Sequence, residues 1–166
     1  MSSSAFVTIA VGMVVATVID LRTRRIPNEL TAAMAGIGVG LSAAGVSGVP
    51  LWASMLGFVV GLALMMPGHV LGATGAGDVK LMAAVGAIVG PALVVTAFLF
   101  TAVAGGVLAV VVAARRRRLT ATLSGTGRLV SGSSDTRALL RTAPAASKFA
   151  YGPAIAVGSI LAALMG

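Results

Sequence analysis

Six apolar runs, broken by short polar segments, constrain this chain more than any other feature. They cover residues 5–19, 30–46, 51–70, 79–90, 92–114 and 149–165. A helix that crosses a lipid bilayer needs about 20 apolar residues, within a range of roughly 17 to 25. The second, third, fifth and sixth runs meet this length, the first is marginal and the fourth is short. The break at Gly90-Pro91 reads as a tight outer turn or as a kink, giving six spans or, as the fallback, five.

Composition explains why these runs are not the core of a soluble fold. Hydrophobic residues make up 58% of the chain and charged residues 10%, whereas soluble domains carry close to a quarter charged residues. A soluble domain of 166 residues could not hide so much apolar surface. The expected fold class is an all-α, polytopic membrane helix bundle, with residues 1–166 as one domain. The first run reads as a retained helix, not a cleaved signal, because no basic residue precedes it and it ends in Asp20 and Arg22.

The basic residues set the expected orientation. All 12 fall in three segments: Arg22, Arg24 and Arg25; Lys80; and Arg115, Arg116, Arg117, Arg118, Arg128, Arg137, Arg141 and Lys148. With six spans these are the first, third and fifth loops, which share one side. The second and fourth loops carry no charge. Basic loops stay cytoplasmic, so both termini are expected outside. Five spans would separate Arg115–Arg118 from Arg22–Arg25. Residues 115–148 read as a mobile basic cytoplasmic loop, with a short interfacial helix near 135–141. Its arginines suit topology and anionic lipid headgroups; no nucleic-acid partner is expected.

The chain has 22 glycines. Pairs at small-xxx-small spacing, such as Gly36 with Gly40, Gly57 with Gly61, and Gly86 with Gly90, read as helix packing sites. Cysteine is absent. That excludes disulfides, cysteine-ligated zinc, iron–sulfur clusters and a cysteine nucleophile. His69 is the single histidine and reads as an interfacial residue. No metal and no cofactor are expected.

Only four acidic residues remain to do chemistry. Asp135 reads as solvated. Glu29 suits the first turn of a helix with Asn28 as its N-cap. Asp20 and Asp78 stand apart, because each sits at the end of an apolar run on the expected cytoplasmic side. Ionisable groups at membrane depth are expensive and are functional candidates by default. Two neighbouring carboxylates can share one proton, since both cannot ionise cheaply. One then serves as general base on a water while the other, protonated, polarises a carbonyl. Gly75 and Gly77, lacking side chains, would let a substrate backbone approach Asp78. The bland alternatives are helix-end ion pairs, Asp20 with Arg24 and Asp78 with Lys80. Lys80 could also act on Asp78 by charge or extend to headgroups.

These residues resemble a known family. DLRTRRIPNEL, residues 20–30, is similar to the first signature of type IV prepilin peptidases, and GAGDVKL, residues 75–81, to their second, the GxGD motif. YGPAIAVG, residues 151–158, resembles the opening of the family's last helix, although Phe149-Ala150 departs from the usual Ile-Pro. The resemblance implies an aspartic endopeptidase of the bacterial plasma membrane with Asp20 and Asp78 as catalytic residues. It implies supporting or substrate-binding roles for Gly75, Gly77, Lys80, Asn28 and Tyr151. Prepilins or pseudopilins would be the substrates, losing a short basic leader at the cytoplasmic face. Without cysteines or room for an extra domain, the chain resembles the short, peptidase-only members tied to Flp or tight-adherence pili, which implies no N-methyltransferase activity.

Serine and zinc peptidase motifs are missing, and GATGAGDVK lacks the Gly-Lys-Ser/Thr of a P-loop. The alternative from another class is a small proton- or cation-coupled transporter using the same two aspartates. It predicts acids near mid-span or inverted repeats. A non-catalytic pilus scaffold is the third reading, and it would tolerate Asp-to-Asn changes.

Overall fold

The computed structural model describes residues 2–115 and 151–166. Within them the regular elements are helices: α1 Ser3–Thr23, α2 Asn28–Ala43, α3 Leu51–Val70, α4 Ala76–Val89, α5 Pro91–Arg115 and α6 Gly152–Met165. Each apolar run corresponds to one helix. Asp135, the arginine cluster from Arg116 onward and the expected interfacial helix near 135–141 lie outside the described residues.

Local chemistry explains the boundaries. Ser2 caps α1 by accepting from the Ala5 amide. At the other end Arg24 turns left-handed, at φ 52°, and returns its N–H to Asp20 O. Prolines precede α2 and α3, where their fixed φ and missing N–H are tolerated. Pro27 occupies the N-cap of α2, so Asn28 is the first helical residue and not the cap expected for it. Gly90, at φ 82°, ends α4, and Pro91 opens α5. The Gly90-Pro91 break is therefore a turn between two helices, not a kink within one.

Among the described residues three helices are long and apolar enough to cross a membrane: α1, α3 and residues 91–111 of α5. The others are shorter, with 16 residues in α2 and 14 each in α4 and α6. α4 has a separate reason to be short. It is the centre of the bundle, packed against the other five described helices, and from Leu81 to Val89 every residue is buried. The surrounding helices turn apolar residues outward. On α1, Val7, Val11, Val14 and Val18 are exposed along one face, while Ile9, Met13, Ala16 and Asp20 are buried on the other. Apolar faces of this extent are what lipid would cover.

Glycines set the closest helix crossing. A Cβ on Gly57 would collide with the Gly86 backbone, and one on Gly61 would lie 2.5 Å from Met82 O. The expected packing at Gly57, Gly61 and Gly86 is thus present. Gly36 and Gly40 are different, since a Cβ on either meets nothing within 4 Å. On α2 the packing glycine is Gly38, two positions along, where a Cβ would lie 2.7 Å from Ile88 Cγ1. The 3.6-residue repeat puts Gly38 inward and turns Gly36 and Gly40 away.

Candidate active site

The helix crossings place the two aspartates below the rim of the bundle. α3 and α4 run antiparallel, with Gly57 against Gly86 and Gly61 against Met82. Continuing that register, Asp78 lies level with about Met65, more than a turn inside the end of α3. On the other side Tyr151 packs on Gly105 of α5, where a Cβ would lie 2.5 Å from the phenol oxygen. From Gly105, α5 continues to Arg115, roughly 15 Å further. The short helices α4 and α6 therefore begin inside a recess walled by longer ones.

Both carboxylates are buried, Asp20 at 5% exposure and Asp78 at 7%. Burying a carboxylate is costly unless its oxygens find donors. In each case the donor is a backbone amide at the start of a short helix. Gly75 N, at the N-cap of α4, donates to Asp78 Oδ2 at 2.9 Å. Asp78 is the N3 residue, so this is the acidic half of a capping box. Gly152 N, at the first residue of α6, donates to Asp20 Oδ2 at 2.9 Å across 132 residues of sequence. Helix N-termini carry partial positive charge, which favours a carboxylate there. Among the described residues neither expected ion pair forms: both carboxylates accept from backbone amides, and Lys80 Nζ donates instead to Asn28 Oδ1 at 2.9 Å.

The helices that carry the two aspartates, α1 and α4, pack against one another. Tyr151 directly precedes Gly152, whose amide holds Asp20. The site thus draws on α1, α4 and the start of α6.

Two motif segments interlock around it. A Cβ on Gly77 would sit 3.0 Å from Ile26 Cβ and 3.3 Å from Ile26 O. Gly77 therefore lets the loop carrying Ile26 and Pro27 lie against the first turn of α4. The Lys80–Asn28 hydrogen bond fastens the same two segments one turn further on. Gly75 is tight for a related reason, with a Cβ there only 3.1 Å from Asp78 Oδ2. Glu29 is exposed on the first turn of α2. His69 Nδ1 lies 3.1 Å from Thr74 O, bracing the glycine-rich loop against α3.

Gly152 is the functional neighbour that the sequence reading did not single out. A Cβ there would lie 2.7 Å from Asp20 Oδ2. The signal available was Pro153 directly after it, since proline at the start of a helix marks an end with free amides. Thr17, one turn before Asp20, was also missed. Its Oγ1 is buried with no hydrogen-bond partner among the described residues.

Fold and site together define a helical membrane protein with two recessed, amide-held carboxylates. A model of the type IV leader peptidase family matches residues 7–110. That stretch is more than half of the chain and includes both aspartates, so the chain belongs to the type IV leader peptidase family, a family of proteases. Nothing among curated proteins matches the chain. No solved structure matches it either.

Proposed function

We propose that the protein is an aspartic endopeptidase that removes the short basic leader from prepilins or pseudopilins of the Flp or tight-adherence kind. Asp20 and Asp78 are the catalytic pair. One carboxylate, ionised, takes a proton from a water whose oxygen adds to the scissile carbonyl carbon. The other, protonated, donates to the carbonyl oxygen, and the carbon–nitrogen bond breaks as a proton passes to the leaving amine. No metal or other cofactor takes part in this scheme.

The observation that carries the proposal is that both aspartates are buried on helices that pack together, each held through one oxygen by a helix-terminal amide. The second oxygen of each remains for water and substrate. Gly75, Gly77, Lys80, Asn28 and Tyr151 support this pair by position. The clustering of basic residues in three segments supports a bacterial plasma-membrane protein with six crossings, both termini outside and the recess opening to the cytoplasm. There a basic leader and the hydrophobic helix after it would arrive together. The absence of cysteine supports peptidase activity without N-methylation. Both acids lie at helix ends, which favours hydrolysis over proton-coupled transport.

Co-expression with a Flp-type prepilin, followed by mass spectrometry of the pilin amino terminus, tests the proposal. The expected product lacks the leader and carries a free, unmethylated amine. Uncleaved prepilin beside a normally inserted wild-type enzyme would contradict it.

A further inference from the structure

The hydroxyl oxygens of Thr17, Thr74, Thr101 and Ser159 are buried with no hydrogen-bond partner among the described residues. Two of them are closed off by glycines. A Cβ on Gly68 would lie 3.2 Å from Thr74 Oγ1, and one on Gly158 would collide with Thr101 Oγ1. Ser159 stands two turns along α6 from Gly152. Thr17 is different, because it stands three residues before Asp20 on the same helix.

Its hydroxyl also behaves differently from those of other helical threonines in this chain. A threonine in a helix can satisfy itself by donating to the carbonyl four residues back. Thr8 does so to Ser4 O at 2.8 Å, Thr23 to Ile19 O at 2.9 Å and Thr96 to Ala92 O at 3.4 Å. Thr8 and Thr23 belong to α1 itself, so the helix does not forbid the bond, yet Thr17 makes none. A buried hydroxyl left unpaired destabilises the fold. Local rules of this kind are broken where a site is prepared for chemistry.

Helix geometry brings Asp20 to this hydroxyl. Residues three apart are neighbours on the helix surface, with Cβ atoms about 5–6 Å apart. Helical side chains lean toward the N-terminus, so the Asp20 carboxylate leans over the turn that holds Thr17. The Gly152 amide occupies Oδ2 of Asp20, and Oδ1 has lone pairs for further donors. Polar groups this close without a direct bond are commonly bridged by one water.

We propose that Thr17 is a positioning residue of the peptidase: its hydroxyl donates to a single water, and that water donates to Oδ1 of Asp20. The inference rests on the peptidase reading above. Gly152 then fixes one oxygen from α6 and Thr17 the other from α1, which stops the carboxylate from turning about its Cβ–Cγ bond. Oδ1 keeps a second lone pair for the reacting water or the scissile carbonyl. Catalysis depends on this orientation, because a misplacement of about 1 Å costs about 10²-fold.

The test separates catalysis from folding by sign. Full-length Thr17→Val, Thr17→Ser and wild type are purified in detergent and compared on one purified Flp-type prepilin for kcat, KM and Tm. Valine keeps the shape of threonine and drops the hydroxyl. Because that hydroxyl has no partner in the resting fold, its loss leaves Tm unchanged or raises it. Over the same change kcat falls about 10- to 10²-fold, with KM little altered. Thr17→Ser, which retains the hydroxyl, restores most of the lost kcat. Ser159→Ala removes an equally unpaired hydroxyl away from the site and leaves kcat unchanged. A kcat for Thr17→Val within twofold of wild type, a matching fall in Tm, or an equal loss in Thr17→Ser would overturn the role of Thr17 and leave the peptidase reading intact. No cleavage by the wild type, or normal cleavage by Asp20→Asn, would remove the peptidase reading and the role of Thr17 with it.

Discussion

Gly152→Ala probes the link between α6 and Asp20 at a residue whose side chain does no chemistry. A Cβ there falls 2.7 Å from Asp20 Oδ2 and 3.0 Å from Asp20 Cβ. Comfortable carbon contacts begin near 3.5 Å, so the carboxylate must retreat by about 0.8 Å. Retreat stretches the 2.9 Å bond from Gly152 N beyond the hydrogen-bonding range of roughly 3.2 Å. A hydrogen bond to a charged group contributes about 1.5–3 kcal/mol, equivalent to about tenfold to 10²-fold in rate if expressed at the transition state. Misplacing a reacting group by about 1 Å costs a similar 10²-fold. The expected loss in kcat/KM for leader removal is therefore about 10²-fold. Alanine favours helix over glycine by about 1 kcal/mol, which offsets the contact strain and keeps Tm within a few degrees. The assay is time-resolved cleavage of a purified prepilin in detergent, with Tm measured on the same preparation. Gly36→Ala, whose Cβ meets nothing within 4 Å, serves as the control and should match wild type. Cleavage by Gly152→Ala within twofold of wild type would show that the Gly152 amide does not hold Asp20 for catalysis.

Three further substitutions test the supporting structure. Gly57→Ala sets a methyl against the Gly86 backbone, which cannot rotate away, so thermal unfolding should show a loss near the upper end of the 1–3 kcal/mol expected for overpacking (about 3 kcal/mol). Gly77→Ala should lower both stability and cleavage, and adding Ile26→Ala should not rescue it, because the contacts are with Ile26 Cβ and backbone, which alanine keeps; recovery in the double variant would contradict this. Asn28→Ala and Lys80→Met should each cost about 0.5–1.5 kcal/mol, and together no more than the larger single loss. Additive losses in chemical denaturation would show that the 2.9 Å bond between them contributes nothing.

Hydropathy made most of the fold legible, because an apolar run must become a helix to satisfy its own backbone in lipid. The six runs and the six helices agree within a few residues. Hydropathy does not record which helix is central. The short run that became α4 is wrapped by the other five described helices, and it needs only to extend from the recess to the Gly90 turn. The glycine pairs were legible in spacing but not in direction, so Gly57 and Gly61 pack while Gly36 and Gly40 do not.

At the site, Asp20 and Asp78 stood out because so few other acids were present. Their holders did not, since a backbone amide has no sequence letter. Gly152 reaches Asp20 across 132 positions, a pairing that only the folded α1–α6 contact creates. Asn28 illustrates the converse. Its residue type suits a helix cap, but Pro27 already occupies that position, which frees the side chain to accept from Lys80.

The central claim is that Asp20 and Asp78 work as one unit on one peptide bond. Groups that act together lose activity together, so removing the second after the first costs little more. The direct measurement is the rate of prepilin leader removal by Asp20→Asn, Asp78→Asn and the double variant, each purified folded from the membrane. Each single change should lower the rate by about 10²–10⁴-fold, and the double variant should be no slower than the slower single. Near-wild-type cleavage by either single variant, or losses that multiply in the double, would contradict it.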